Sequence, residues 1–87
     1  MSVTIQLTYE MSKVLGAPRL EVEGARNVAE AIDQVRSRFG ELGGEFEKLT
    51  RVAAVAVNGV LASYRRGART PLEDGDVVAF VKAAAGG

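Results

Sequence analysis

Histidine and cysteine carry much of the side-chain chemistry of proteins, and this 87-residue sequence contains neither. Their absence removes disulfides, thiolate nucleophiles, imidazole bases and the usual zinc ligands together. Three groups of residues retain some chemical interest. One is the stretch "KAAAGG", Lys82 to Gly87, which follows an apolar run. The second is the basic cluster Arg65, Arg66 and Arg69, and the third is the acidic pair Asp74 and Asp76 around Gly75.

The first group is the most informative. Glycine has no Cβ, so a Gly-Gly end threads channels too narrow for other residues and adopts φ values they avoid. Six extended residues reach roughly 20 Å, enough to carry the Gly87 carboxylate into another protein's active site. Ala83, Ala84 and Ala85 keep that segment slim and uncharged. A carboxylate is a poor electrophile, so reaction at Gly87 requires activation, for example as an acyl-adenylate. The sequence holds no G-x-x-x-x-G-K-[ST] loop to bind ATP. Activation therefore falls to a separate enzyme, and the chain reads as a carrier or co-substrate rather than an enzyme.

The other two groups have plainer readings. Arg65, Arg66 and Arg69 would steer an acidic partner or meet a phosphate, but equally suit a solvated loop. Asp74 and Asp76 flank a glycine as turn formers do, without the spacing of a metal site or an acid–base pair. No bound cofactor and no metal are expected.

Composition sets the frame for these residues. Eighty-seven residues make one domain, and 47 % hydrophobic content is enough for a core. Eleven basic and eleven acidic residues cancel, against a nucleic-acid footprint. No apolar run approaches a membrane span and no signal-peptide pattern opens the chain, so a cytoplasmic location is expected.

The elements follow from periodicity. "SVTIQLTYE" alternates through Val3, Ile5 and Leu7, and "RLEVEG" through Leu20 and Val22, predicting two paired strands. "MSKVLGAP" between them reads as a turn or loop because of Gly16 and Pro18. In "NVAEAIDQVRSRFG" the apolar residues Val28, Ala31, Ile32, Val35 and Phe39 share a helical face, with Asn27 as N-cap and Gly40 as stop. "ELGGEFEKLT" reads as a loop with a short helical turn packed through Phe46 and Leu49. "RVAAVAVNGVLAS" reads as a hairpin turning at Asn58-Gly59, and "VVAFVK" is the last strand. The order is β-β-α-β-β-β, an α+β domain over residues 1–82 with a tail at 83–87. One helix covers one sheet face only, yet "VAAVAV" and "VVAFVK" are apolar on both. Some of the second face should stay open to a partner, unless residues 41–51 or 63–70 fold across it.

"AVNGVLASYRRGARTPLEDGDVVAFVKAAAGG" resembles the C-terminal half of the MoaD/ThiS sulfur carriers, the family that includes the small subunit of molybdopterin synthase. The matching pieces are the strand into "VN", "PLEDGD" before "VVAF", and the final "GG". The resemblance implies a ubiquitin-like β-grasp fold with a mixed sheet of about five strands. It also implies that an E1-like enzyme, consuming ATP, adenylates Gly87. A sulfurtransferase then supplies sulfur, and the C-terminal thiocarboxylate donates it to a biosynthetic enzyme. Gly87 takes the family's reactive position and Gly86 the spacer. Phe80, with Val78 or Val81, falls where the family presents an apolar docking surface, and Ala83, Ala84 and Ala85 follow as further partner contacts. Arg65, Arg66 and Arg69 join them only on the steering reading above, since so basic an insertion departs from the family pattern. Molybdopterin synthesis is the first choice of pathway, with cysteine, thiamin and secondary-metabolite sulfur as alternatives. A ubiquitin-like modifier forming isopeptide bonds is another.

Overall fold

The computed structural model describes residues 1–62 and 67–82. Strands β1 (Ser2–Gln6), β2 (Arg19–Glu23), β3 (Ala53–Val57), β4 (Val60–Leu61) and β5 (Val77–Lys82) form one sheet in the order β2-β1-β5-β3-β4. β1 and β5 pair in parallel and the other pairings are antiparallel. Helices α1 (Tyr9–Leu15), α2 (Val28–Arg38) and α3 (Glu41–Thr50) accompany the sheet, and a 3₁₀ turn covers Gly67–Arg69. This is the expected β-grasp arrangement, with two more helices than the sequence pattern suggested.

The alternation in the strands decides what is buried. Val3, Ile5, Val22, Val57, Val78 and Phe80 point to one face and meet Met11, Val28, Ala31, Val35 and Phe46 from the helices. The Phe46 and Phe80 rings meet edge to face with centroids 5.7 Å apart, an arrangement worth about 0.5–1.5 kcal/mol beyond area burial. That contact fastens β5 to α3.

Residues 9–15 form a helix, not the expected loop. Thr8 caps it, its Oγ1 accepting a hydrogen bond from Met11 N at 3.2 Å. Met11 and Leu15, four residues apart, are the buried pair that holds it to the core. Gly16 closes it with φ of 81°, its N–H bonded to Ser12 O. Residues 41–50 are likewise a full helix, despite glycines at 43 and 44. A Cβ on Gly43 would lie 2.0 Å from the Arg36 carbonyl oxygen, so the glycine is what lets α3 cross close to α2. α2 begins and runs as expected, with Asn27 Oδ1 accepting from Glu30 N at 2.8 Å.

The turns expected at Asn58-Gly59 and around Gly75 are present. Asn58 and Gly59 have φ of 51° and 85°, the positive pair that a type I′ hairpin requires. Asn58 also ties the hairpin to the start of β5. Its Oδ1 accepts from Val77 N at 3.0 Å and its Nδ2 donates to Asp76 Oδ1 at 2.9 Å. Asp76 Oδ2 accepts from Glu73 N at 2.8 Å, and Asp74 Oδ1 accepts from Ser2 N at 2.7 Å. The "VN" and "EDGD" motifs are thus a polar clip that sets the register of β5 between β1 and β3. At the sheet's far edge, Gln34 Nε2 and Arg38 donate to the β2 carbonyls of Glu23 and Glu21 at 2.8 and 2.9 Å. These bonds occupy carbonyls that an open edge would offer to another chain.

Candidate docking face and carrier tail

The face of the sheet turned away from the helices divides into two halves. Pairing places Ser2, Thr4 and Gln6 of β1 beside Glu23, Glu21 and Arg19 of β2, and that half is polar. On the other half, Ala54 pairs with Val81, Ala56 with Ala79 and with Leu61, and Val77 lies beside Thr4. These six residues form an apolar stripe across β5, β3 and β4. Val81 is 44 % exposed and Leu61 40 % exposed, while the others are half-buried. The three helices lie on the opposite side, with the core. Residues 41–51 in particular pack as α3 through buried Phe46, so they do not fold across this face. Residues 67–69 pack against α2.

The predicted site residues separate accordingly. Val81 lies on the open face. Val78 and Phe80 do not: they are 0 % and 4 % exposed and belong to the core. The correction follows from the period of two along a strand, which sets residues 78 and 80 on the side opposite 77, 79 and 81. The large side chains face the core, and the slimmer Val77 and Ala79 form the outer surface beside Val81. Arg69 is exposed on the 3₁₀ turn beside α2 and is not brought into the sheet face. Arg65, Arg66, Ala83, Ala84, Ala85, Gly86 and Gly87 lie outside the described residues.

Leu61, Ala54 and Ala56 were not singled out from sequence as docking residues. The signal was present in "VAAVAV", a strand whose two faces are both apolar although only one can meet the core. The register needed to join Leu61 to Ala56 comes only from the closed hairpin.

Strand β5 ends at Lys82, which pairs with Ala53 at the start of β3, beside the junction of α3 and β3. Among the described residues there is no grouping of acidic, histidine or cysteine side chains able to hold a metal ion. Likewise, none of the helices is long and apolar enough to cross a membrane. On α2, Arg36 is held above its ordinary pKa, first by its hydrogen bond to Asp33 and then by the Asp33 charge. It lies on a helix, away from the sheet face, and stays a cation throughout the physiological range.

The family profile described as ThiS matches residues 5–87, nearly the whole chain. The chain belongs to the ThiS family. Among curated proteins no match was found. Among solved structures, the chain is similar to one in the Amycolatopsis orientalis BexX/CysO complex, at 30 % identity and a TM-score of 0.78, covering 98 % of this chain and 99 % of that one. It is also similar to a chain in the Helicobacter pylori complex of molybdopterin-converting factor subunits 1 and 2, at 22 % identity, a TM-score of 0.68 and full coverage of both chains. Small archaeal modifier protein 1 from Methanosarcina acetivorans shares the fold at 17 % identity and a TM-score of 0.71, with 99 % and 96 % covered. With this fold, the chain takes its place in a family of ubiquitin-like sulfur carriers. Two of these three structures are complexes with a partner protein.

Proposed function

We propose that this chain carries sulfur as a thiocarboxylate on Gly87 and delivers it to a partner enzyme. The observation that carries this reading is the family match, which extends from residue 5 in β1 to Gly87 and so includes Gly86 and Gly87. The Gly87 carboxylate attacks the α-phosphate of ATP in an E1-like enzyme, forming an acyl-adenylate and releasing pyrophosphate. A hydrosulfide equivalent from a sulfurtransferase then displaces AMP and leaves the thiocarboxylate. The chain's own contribution is physical. The stripe of Leu61, Ala54, Ala56, Val77, Ala79 and Val81 supplies an apolar surface on which a partner seats, and β5 ends beside it at Lys82. Neither ATP nor metal is held by this protein in that scheme.

The acceptor is the finer question. Sequence similarity supports a CysO-type carrier like that of the BexX/CysO complex, at 30 % identity. Molybdopterin synthesis, the first choice from sequence, is supported by the 22 % identity to the Helicobacter pylori factor and stands second. Intact-mass measurement after incubation with ATP, an E1-like adenylating enzyme and a sulfur donor tests the carrier reading. The expected gain is one oxygen exchanged for sulfur, absent when Gly87 is deleted. Attachment of the whole chain to lysines instead of that gain would establish a protein modifier in its place.

A further inference from the structure

Beside the root of the tail lies a small hollow of about 220 Å³, lined by Thr8, Glu10, Leu49, Val52, Ala53 and Lys82. It opens on the α1 and α3 side of the end of β5, so it is separate from the stripe on the outer face. We propose that this hollow and its Val52 lip form a second docking surface for the E1-like adenylating enzyme, seated against the mouth of the channel that takes up the tail. The proposal rests on the carrier reading above and adds which residues outside the sheet face the partner must touch.

Reach makes the contact hard to avoid. Residues 83–87 are five in number, and five residues span at most ~18 Å when fully extended. Every ångström by which Gly87 penetrates below a partner's surface brings that surface closer to Lys82. A chain bound with its carboxylate at a buried reaction centre therefore presses the surroundings of Lys82 onto the channel mouth.

Those surroundings suit a protein partner. Val52 is 69 % exposed, more than any other large aliphatic residue described. Its backbone is nonetheless held: Val52 N donates to Leu49 O at 3.2 Å, and its neighbour Ala53 is paired with Lys82. Valine is stiff at χ1, so burying it against a partner loses little conformational freedom. The hollow beside it has room for one side chain, with an apolar wall at Leu49 and Ala53. Its rim carries one acid, Glu10, and one base, Lys82. The fitting occupant is a single apolar side chain on the lip of the partner's channel, flanked by an acidic group toward Lys82. A partner engaged both here and on the stripe straddles the end of β5 and aligns the tail with its channel.

The sequence has no cysteine, so a single one can be placed as a reporter. In the full chain, Val52→Cys bearing an environment-sensitive fluorophore is mixed with an E1-like adenylating enzyme and ATP, with Asp33→Cys on α2 as control. A blue shift at 52 and none at 33 is expected. In parallel, Val52→Asp and Val52→Lys are compared with the unaltered chain in pyrophosphate release. Both should raise KM by at least about tenfold with kcat within about twofold, the pattern of lost docking rather than lost chemistry. Residue 52 is exposed, so unchanged melting temperatures are expected for both variants. If the unaltered chain is adenylated but neither variant raises KM, the docking surface is refuted and the carrier reading stands. A rise with one charge only would show long-range repulsion and also refute seating. No adenylation of the unaltered chain would overturn the carrier reading and this surface with it.

Discussion

Two adjacent residues of β5 have opposite duties. Phe80 is a core side chain packed on Phe46, whereas Val81 projects from the open face at the end of the stripe. Phe80→Ala should cost about 3–5 kcal/mol of folding stability, readable as a shifted urea midpoint. Val81→Asp should leave that midpoint within about 0.5 kcal/mol, since exposed substitutions away from special contacts have small effects. It should nonetheless weaken binding to an adenylating enzyme by at least tenfold, about 1.4 kcal/mol. Titration calorimetry on both variants separates the two roles. If Val81→Asp binds as tightly as the unaltered chain, the stripe is not the seat of the partner. Alternation alone states that neighbours face opposite ways. It does not state which side the helices cover, and the family resemblance that named Phe80 and Val78 for docking marks a stretch of strand rather than one of its faces.

At the level of elements, the strands and α2 were legible because their signals are strong: period two, period 3.6, an Asn cap and an Asn-Gly turn. Helix α1 escaped notice because seven residues offer only one buried pair, and Gly16 with Pro18 dominates the reading. Its Thr8 cap and its Gly16 stop were nevertheless there to be read. Helix α3 escaped for a different reason. Two central glycines disfavour a helix by about 1 kcal/mol each, and the gain that offsets them is tertiary. Gly43 lies where any side chain would strike the Arg36 carbonyl, a contact absent from local sequence. Gly43→Ala should therefore destabilise the fold by about 1–3 kcal/mol, although alanine is the better helix former. Gly44→Ala, with nothing within 4 Å of its added Cβ, should be neutral or stabilising. Comparing the two melting curves checks the argument, and equal shifts would contradict it. The candidate site was legible only in part, because the stripe is assembled by register across three strands.

As a whole molecule, the domain keeps structure and delivery apart. The buried residues identified span Val3 to Phe80, and the proposed chemistry begins after Lys82. A chain ending at Lys82 should fold with a melting temperature within about 2 °C of the full chain, because no core contact from this set is removed. It should fail completely as a sulfur acceptor. Differential scanning calorimetry beside the intact-mass assay tests both halves of that expectation. A large loss of stability would place part of the tail in the folded body.

The parallel pairing of β1 with β5 has a consequence for the order of events in the cell. Thr4 lies beside Val77, so the middle of the sheet joins the two ends of the chain. Such non-local pairing slows folding, because most of the chain must be closed into a loop before the contact forms. The pairing of β1 with β2 closes a far shorter stretch of chain, so the edge of the sheet can form well before its centre is joined.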